Sequence, residues 1–276
     1  MPAATQILSS SRNPLIQDVR RAAGRGILTG QGYAVAEGAH LFEEALASGV
    51  EMGAVLISEE VERDWPSQVP VYVLPRALFR EVATTESPQG IITLVRPRVF
   101  EVEQVFQGNA ILLDGIQDPG NAGAIVRASE AFGGSGVVFL KSTVSPFNPK
   151  CLRASAGSLF RLPFINHPDA DAVCHAIAQQ NVALYAAMPN ARLSIEEVDW
   201  SKPSAILIGS EGRGVSAEWS EAATHIRVPT TGVESLNAAI AAAVILYEAS
   251  KHLTIVPTPS PSRATRQRPW RSPART

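Results

Sequence analysis

The most informative stretch of this sequence is Leu207-Ile208-Gly209-Ser210-Glu211-Gly212-Arg213-Gly214-Val215. It continues an apolar run that starts at Ser204 and ends in a turn with three glycines. This pattern is typical of a buried parallel-sheet strand that leads into a loop, where glycines let the backbone approach a ligand closely. A plain strand-to-helix turn explains the stretch equally well when it is taken alone. The spacing is neither Gly-x-Gly-x-x-Gly nor a P-loop, which excludes the common nucleotide-binding loops.

A second stretch follows the apolar run 110–113 and opens a helix: Asp118-Pro119-Gly120-Asn121-Ala122-Gly123-Ala124-Ile125-Val126-Arg127. We expect Asn121 to cap this helix, because an Asn side chain at a helix start satisfies backbone N–H groups that lack a partner. The remaining free amides at that end point outward. Arg127 falls two turns into the helix, where its apolar sequence neighbours predict unusually apolar surroundings for a cation.

The third stretch is Ile226-Arg227-Val228-Pro229-Thr230-Thr231-Gly232-Val233-Glu234-Ser235-Leu236-Asn237. It predicts a short strand that ends at Pro229 and a long Ala-rich helix from Glu234 to about Lys251, with Ser235 and Asn237 in its first turn. An amide side chain at that place needs a specific partner. The helix also carries an apolar stripe that predicts core packing or a subunit interface, formed by Leu236, Ile240, Val244 and Tyr247.

Apolar runs alternate with helical stretches along most of the chain, which predicts an α/β fold in two units. The predicted strands are 33–36, 54–57, 71–74, 91–95, 110–113, 136–140, 182–186 and 204–208, and further helices are predicted at 15–23, 39–47 and 122–132. Arg96-Pro97-Arg98 breaks the strand that ends the first unit. The prediction is a small α/β domain over 1–96, a linker over 97–104, a parallel-sheet domain over 105–253 and a disordered basic tail over 254–276.

The formal net charge of −2 over 276 residues argues, taken alone, against nucleic-acid binding. The distribution of the charge points the other way. Residues 251–276 hold six basic and no acidic side chains, and four arginines face only Asp18 before residue 37. Basic chain ends can meet phosphate, although solubilising charge explains the tail equally well.

Composition also limits the class of protein. No apolar run reaches the ~18–20 residues that span a bilayer, and the N-terminus lacks the pattern of a secretory signal, so we expect a cytoplasmic protein. Cys151 and Cys174 have no paired spacing, and the five histidines have no metal-binding spacing. We therefore assign neither a disulfide nor a metal.

Taken in chain order, the three stretches resemble the three motifs of the SpoU/TrmH family within the SPOUT methyltransferases. The matching residues are Asn121-x-Gly123-x-x-x-Arg127, Gly209-Ser210-Glu211-Gly212-x-Gly214 and Glu234-Ser235-Leu236-Asn237. The N-terminal part is similar to the substrate-binding domain of rRNA-modifying members, through Asn13-Pro14, Glu37-Gly38 and Ser87-Pro88-Gln89-Gly90. Only the C-terminal tail lies outside the resemblance.

The resemblance implies a SPOUT domain whose C-terminal part threads a deep trefoil knot, and a homodimer with the last helix at the interface. It implies S-adenosyl-L-methionine as the cofactor, bound near Leu207, Ile208, Gly209, Gly212, Val228, Pro229, Thr230, Ser235 and Leu236. The implied catalytic residues are Arg127, Asn121, Glu211, Ser235 and Asn237. Arg213 stands at a variable position of the second motif and receives no role.

The implied reaction is 2′-O-methylation of an RNA ribose by in-line attack on the sulfonium methyl, without a metal. Arg127 is the family's usual candidate base. A guanidinium stays protonated in proteins, so we prefer to assign Arg127 to the developing alkoxide and a neighbouring phosphate. The sequence leaves both roles open.

The N-terminal domain favours large-subunit (23S) ribosomal RNA as the substrate, and a resistance methyltransferase acting on that RNA is a subset of this interpretation. One alternative is a tRNA 2′-O-methyltransferase. Another is a non-catalytic RNA-binding protein on the same scaffold, which the intact motif residues oppose. A nicotinamide-dependent oxidoreductase is opposed by the glycine spacing. No residue pattern specifies the target nucleotide, because RNA is recognised largely by shape.

Overall fold

The computed structural model describes residues 5–62, 65–66 and 68–252. The N-terminal unit contains β1 (Thr5–Ile7), α1 (Pro14–Arg25), β2 (Ala34–Glu37), α2 (Ala39–Ser48), β3 (Met52–Ser58), β4 (Val71–Leu74), α3 (Arg76–Val82) and β5 (Ile91–Val95). Its strands form one sheet in the order β1-β4-β3-β5-β2. In this sheet β5 runs antiparallel to β2 and β3, and the other pairs are parallel.

The second unit contains α4 (Val102–Val105), β6 (Asn109–Asp114), α5 (Pro119–Ala131), β7 (Gly136–Phe139), α6 (Pro149–Ser155), β8 (Phe164–Asn166), α7 (Ala170–Gln179), β9 (Ala183–Ala187), β10 (Leu193–Ser194), β11 (Ser204–Gly209), α8 (Ala217–Ala222), β12 (Thr224–Arg227) and α9 (Ala238–Ser250). Its strands form a seven-stranded sheet in the order β10-β12-β9-β11-β6-β7-β8, and every pair is parallel. The predicted α/β fold with a parallel sheet is confirmed.

The predicted elements match the structure closely where the apolar pattern is strong. The predicted strands 71–74 and 91–95 coincide with β4 and β5, and the other predicted strands and helices before residue 210 differ by at most three residues at either end. The last helix begins at Ala238, four residues later than predicted, because Asn237 caps it. The predicted disordered tail lies outside the described residues, and the trefoil knot stays a prediction.

Alternate residues of β11 face opposite layers of the second unit. Ile206 and Ile208 belong to the core under α5, α6 and α9, whereas Leu207 belongs to the core under α4, α7 and α8. The sheet is therefore buried on both faces, which explains the continuous apolar run that identified this strand. Because all of its strands are parallel, their carboxyl ends meet at one edge, where ligands bind in open α/β sheets.

Helices α5 and α6 pack unusually closely. A Cβ built on Gly123 would lie 2.3 Å from the carbonyl oxygen of Cys151 and 2.6 Å from the Cβ of Ala154. No other residue fits at that distance, so the glycine of the first motif is explained by helix packing. Burial raises the pKa of the Cys151 thiol to about 12, which keeps it protonated. Cys174 is exposed.

The two units share a hydrophobic core. One continuous cluster of buried side chains contains Ala36, Leu41 and Ala45 of the N-terminal unit together with Leu159 and Phe160 of the second. The end of the N-terminal unit, at Arg96, and the start of the predicted linker, at Arg98, are also attached to the N-terminal unit. Arg96 bonds the Glu51 carboxylate at 2.9 Å and stacks on the Tyr33 ring, and Arg98 donates to the Ser48 carbonyl at 2.8 Å. The shared core holds the two units against each other, and the chain between them is bound to the N-terminal unit at Arg96 and Arg98.

Two arginines of the second unit bind carboxylates of the first. Arg161 makes a bidentate pair with Glu130, at 2.6 and 2.9 Å, and its remaining nitrogen lies 2.6 Å from the Glu44 carboxylate. Arg153 lies 3.5 Å from the buried Glu37 carboxylate, which also accepts hydrogen bonds from Thr84 and Thr85. Both contacts fix the N-terminal unit on α5 and α6.

We predict that Arg161→Ala lowers the free energy of unfolding at neutral pH by about 1–3 kcal/mol, a value between those of exposed and buried pairs. Burial raises the pKa of Glu130, but hydrogen bonds from Arg161 and Ser158, together with the positive charge of Arg161, hold that pKa below its ordinary value of 4.5. The pair therefore stabilises the fold above pH 4.5, and this stabilisation is lost as the pH falls through the lower folded pKa. Urea unfolding at neutral and acidic pH measures both effects.

The matched control is Arg76→Ala, which breaks a pair with Glu60 in which both side chains are more than half exposed. This variant should change stability by less than about 0.5 kcal/mol. The assignment would be contradicted if the Arg161→Ala protein were as stable as wild type. It would also be contradicted if the difference in free energy of unfolding between the two proteins increased at acidic pH.

Candidate active site

A cleft of about 460 Å³ opens at the carboxyl edge of the parallel sheet, within the usual size range of small-molecule sites. The loops after β9, β11 and β12 and the start of α9 enclose it. Its walls are formed by Ala187, Met188, Pro189, Ile208, Gly209, Ser210, Glu211, Gly214, Ile226, Val228, Thr230, Glu234, Ser235, Leu236, Asn237, Ala238 and Ala241. The second and third motifs of the sequence therefore meet in one place.

The glycine-rich loop after β11 folds back on itself. Ser210 and Gly214 exchange two backbone hydrogen bonds, at 2.8 and 3.1 Å, and Gly214 has a φ of 68°. A Cβ on Gly209 would lie 2.1 Å from the carbonyl carbon of Gly214. The glycine is therefore required by the chain's own turn. Gly209 also lines the cleft, and its close approach to a ligand stays a prediction.

Three polar side chains join the three motifs. The Asn121 amide donates to the Glu211 carboxylate at 2.6 Å, and the Asn237 amide donates to the same carboxylate oxygen at 2.9 Å. Asn237 also donates to the amide oxygen of Asn121 at 3.2 Å. This Asn121–Glu211–Asn237 cluster supplies the specific partner that an amide at the start of α9 was expected to need.

The cap of α9 fixes the orientation of the Asn237 amide. Its Oδ1 accepts from the backbone N–H groups of Ala239 and Ile240 at 2.9 and 3.3 Å. The Nδ2 group is then the part that faces Glu211, because the amide has one acceptor and one donor end. Asn237 was predicted to lie in the first turn of the helix, but it is the N-cap residue directly before the helix. Ser235 also lies before the helix rather than in its first turn.

The cap of α5 is Asp118, not Asn121 as predicted. Asp118 Oδ1 accepts from the Asn121 backbone N–H at 2.9 Å, and Oδ2 lies 3.0 Å from the Lys150 ammonium. Hydrogen bonds from Lys150 and the Asn121 backbone hold the pKa of Asp118 below its ordinary value. Because Asp118 takes the capping role, the side chain of Asn121 is available to reach Glu211.

The charged side chains that line the cleft are negative. Two carboxylates, Glu211 and Glu234, line it, and none of its lining side chains in the described part of the chain is cationic. Such walls disfavour phosphate-bearing ligands such as dinucleotides, which normally meet basic side chains or helix N-termini. They favour a ligand that combines an apolar body with positive charge.

Some of the residues predicted to bind the cofactor line the cleft, and the others do not. Ile208, Gly209, Val228, Thr230, Ser235 and Leu236 line the cleft. Leu207, Gly212 and Pro229 do not. The Leu207 side chain is buried on the opposite face of the sheet, Gly212 lies at the exposed tip of its turn, and Pro229 is exposed.

Arg127 is the predicted catalytic residue that the structure does not bring to the cleft. It lies on α5 six residues beyond Asn121, about 9 Å further along the helix axis. The predicted apolar surroundings are wrong, because Ile125 and Val126 face the core while the Arg127 side chain is exposed. Within the described residues it makes no hydrogen bond or ion pair.

Sequence reasoning missed the contribution of the loop after β9. Met188 and Pro189 line the cleft, and Met188 donates its backbone N–H to the Ile226 carbonyl at 2.8 Å. The strand itself was predicted, and its carboxyl end must share an edge with that of β11. This topological relation was the available signal, since neither residue carries a motif.

Across the described ranges, no group of His, Cys, Asp or Glu side chains has the arrangement of a metal site. The helices in the same ranges include none with the length and hydropathy needed to span a bilayer.

Family models match most of the chain. The SpoU rRNA Methylase family matches residues 108–247, and the MRM3-like substrate binding domain matches residues 13–93. The first match contains the cleft and the Asn121–Glu211–Asn237 cluster. The second contains the Glu37-Gly38 and 87–90 motifs.

Curated relatives match over nearly their whole length. An uncharacterized tRNA/rRNA methyltransferase of Synechocystis is 32% identical over 91% of this chain and 96% of its own length. The 23S rRNA (guanosine(2553)-2′-O)-methyltransferase of Bacillus subtilis is 30% identical, over 87% of this chain and 97% of its own.

Solved structures share the fold and lead to the same family. The SpoU methyltransferase AviRb of Streptomyces viridochromogenes, solved in complex with AdoMet, superposes with a TM-score of 0.78 and 25% identity, over 87% of this chain and 98% of its own. A structure described as an RNA 2′-O ribose methyltransferase gives a TM-score of 0.73 and 29% identity, over 89% and 98% of the two chains. This chain belongs to the SpoU rRNA methylase family.

Proposed function

We propose that this chain transfers the methyl group of S-adenosylmethionine to a ribose 2′-hydroxyl of 23S ribosomal RNA. The observation that carries the proposal is the meeting of the three motifs around a cleft lined by carboxylates and apolar side chains. The B. subtilis and S. viridochromogenes relatives are named as 23S rRNA 2′-O-methyltransferases, which supports this reaction and substrate.

The residues of the cleft fit this cofactor by their chemistry. Ile208, Val228 and Leu236 offer apolar surface to an adenosyl group, and Glu211 and Glu234 offer negative charge to a cationic sulfonium and ammonium. When bound, S-adenosylmethionine supplies a methyl group that is already activated by the positive charge on its sulfur. No metal is needed for this activation.

The hydroxyl proton must leave as the 2′-oxygen bonds to the methyl carbon and the carbon–sulfur electron pair stays on sulfur. We assign its acceptance to Glu211. One oxygen of this carboxylate accepts from Asn121 and Asn237, and the other has no hydrogen-bond partner among the described residues. The two amides therefore hold the carboxylate in place and leave one oxygen available for the hydroxyl.

We assign Arg127 to the negative charge of the RNA. Its guanidinium is exposed and unpaired in the described part of the chain, so it can bind a phosphate of the RNA without first breaking an ion pair. A guanidinium cannot take up the hydroxyl proton, because it stays protonated in proteins.

Two subunits complete the proposed assembly. Ile240 and Tyr247 are each 54% exposed on α9, a helix that is apolar on nearly every side. Ile240 and Tyr247 of the predicted apolar stripe face outward, and its other members, Leu236 and Val244, are half-buried. The core side of the helix is formed by other residues, among them Ala242, Ile245 and Ala249. An apolar helix needs cover on its second face, and a second copy of the same helix provides it.

The substrate is tested by incubating the purified chain with labelled S-adenosylmethionine and with 23S rRNA, 16S rRNA or tRNA. We expect label in 23S rRNA, at a linkage that resists alkaline hydrolysis because its 2′-oxygen is methylated. Label on a base, or label confined to tRNA, would contradict the proposal.

Glu211→Gln should lower the rate of methyl transfer at least ~100-fold, because the amide keeps an oxygen for Asn121 and Asn237 but cannot accept a proton. Thermal unfolding should stay unchanged. The control is Glu234→Gln in the same cleft, which should weaken cofactor binding while keeping the single-turnover rate. A Glu211→Gln enzyme that turns over like wild type would refute the assignment.

Arg127→Ala should bind S-adenosylmethionine as tightly as wild type in calorimetric titration, because the side chain lies outside the cleft. Its rate of methyl transfer should fall at least ~100-fold, the usual size of one lost electrostatic contact. Arg127→Lys should restore part of the rate, since it keeps the charge. Normal turnover by the alanine variant is the result that would remove Arg127 from the mechanism.

Tyr247→Glu should convert a dimer into a monomer, because the substitution places charge in an apolar interface. Light scattering after size-exclusion chromatography measures the mass. The control is Val99→Glu, which changes a side chain that is 91% exposed outside α9 and should leave the dimer intact. A monomeric wild type, or a dimeric Tyr247→Glu protein, counts against the interface.

A further inference from the structure

A second cavity, of about 340 Å³, lies directly beside the cleft. Its walls include Gln117, Asp118, Asn121, Ser142, Glu211 and Arg213. Ser210 and Glu211 line both spaces, and Asn121 on this side is hydrogen-bonded to Asn237 on the other. Ser210, Glu211 and the hydrogen bond between Asn121 and Asn237 therefore lie between a group held in one space and a group held in the other.

The second cavity differs from the cleft in its charge. Arg213 lies at the tip of the turn closed by Ser210 and Gly214, and its guanidinium has no hydrogen bond or ion pair within the described residues. Asp118 on the opposite wall is already paired with Lys150 at 3.0 Å. The cavity thus offers an unused positive charge at its rim, which the cleft lacks.

Two further walls of this cavity carry unused polar atoms. Gln117 donates its side-chain N–H to the Ser142 carbonyl, which leaves its own side-chain oxygen and the Ser142 hydroxyl without partners in the described part of the chain. Ser142 also has a φ of 68°, which is rare for a residue with a Cβ. Backbone held in a costly conformation is concentrated at sites that bind or react.

We propose that this cavity seats the nucleotide that accepts the methyl group. Arg213 holds a phosphate of that nucleotide, and Gln117 and Ser142 contact its ribose or base. The assignment rests on the proposed function, because it treats the cleft as the donor site and the adjoining cavity as the acceptor site. Glu211, which borders both, then lies next to the hydroxyl that loses its proton.

The first test is Arg213→Ala, measured by RNA binding at several salt concentrations and by calorimetric titration with S-adenosylmethionine. We expect affinity for 23S rRNA to fall about tenfold or more, the usual effect of losing a charged hydrogen bond. The slope of log affinity against log salt should decrease by about 0.7–0.9, the value for one phosphate contact. Arg213→Lys should keep the slope, and cofactor affinity should not change.

The control for charge is Lys202→Ala, which removes a cation just before β11, at the opposite edge of the same sheet. It should leave both the affinity and the salt slope unchanged. Gln117→Ala tests the polar wall, and should lower kcat/KM for RNA about tenfold without altering the salt slope, because it removes no charge.

The outcomes separate this assignment from the proposed function. A wild-type chain that methylates no RNA overturns the proposed function. An active wild type with Arg213→Ala and Gln117→Ala variants that bind and turn over like it overturns only the acceptor cavity. An Arg213→Ala variant that loses cofactor affinity as much as RNA affinity overturns it as well, because Arg213 would then act through the cleft.

Discussion

The active site depends on how one amide group is shared. The oxygen of the Asn237 side chain caps α9, so its nitrogen must face Glu211 and Asn121. This single side chain therefore joins the last helix to the turn after β11 and to the start of α5. The cap is worth about 1 kcal/mol in ordinary helices, and here the same interaction also orients the carboxylate that borders both cavities. The same side chain thus determines both the stability of the helix start and the geometry of the site.

The proposed cofactor cleft and the proposed nucleotide cavity differ in charge, so the methyl donor and the RNA do not compete for one space. The cleft has carboxylates and no lining cation in the described residues, which suits a positively charged donor and repels phosphate. The guanidiniums of Arg127 and Arg213, which have no partner among the described residues, lie outside it, where a polyanion can reach them. A chain with a net charge of −2 can therefore act on RNA, because local placement of charge decides binding and the total does not.

The sequence predicted the longer strands and the three motifs because both are local patterns, whereas the short strands β1, β8 and β10 were not predicted. The buried run that ends at Gly209 needed no tertiary information, and the polar residues at strand ends pointed to the correct edge. The roles of single residues were harder. Asp118 and Asn121 are both residue types that commonly cap helices. Only the fold shows that the Asp118 carboxylate accepts hydrogen bonds from Lys150 and from the Asn121 backbone N–H. The reason for Gly209 lies in a backbone contact with Gly214 that depends on the exact path of the turn.

The junction between the two units gives the N-terminal motifs a physical role. Glu37 is almost completely buried, with Thr84, Thr85 and Arg153 around its carboxylate, and Gln89 accepts from the first N–H of α2 at 3.0 Å. Of these residues, all but Thr84 also line a cavity of about 290 Å³ beside the junction. The contacts of Glu37 and Thr84 with Arg153 hold the N-terminal unit against α6 of the second unit. Since RNA is recognised largely by shape, a rigid distance between two contact surfaces can itself select the target nucleotide.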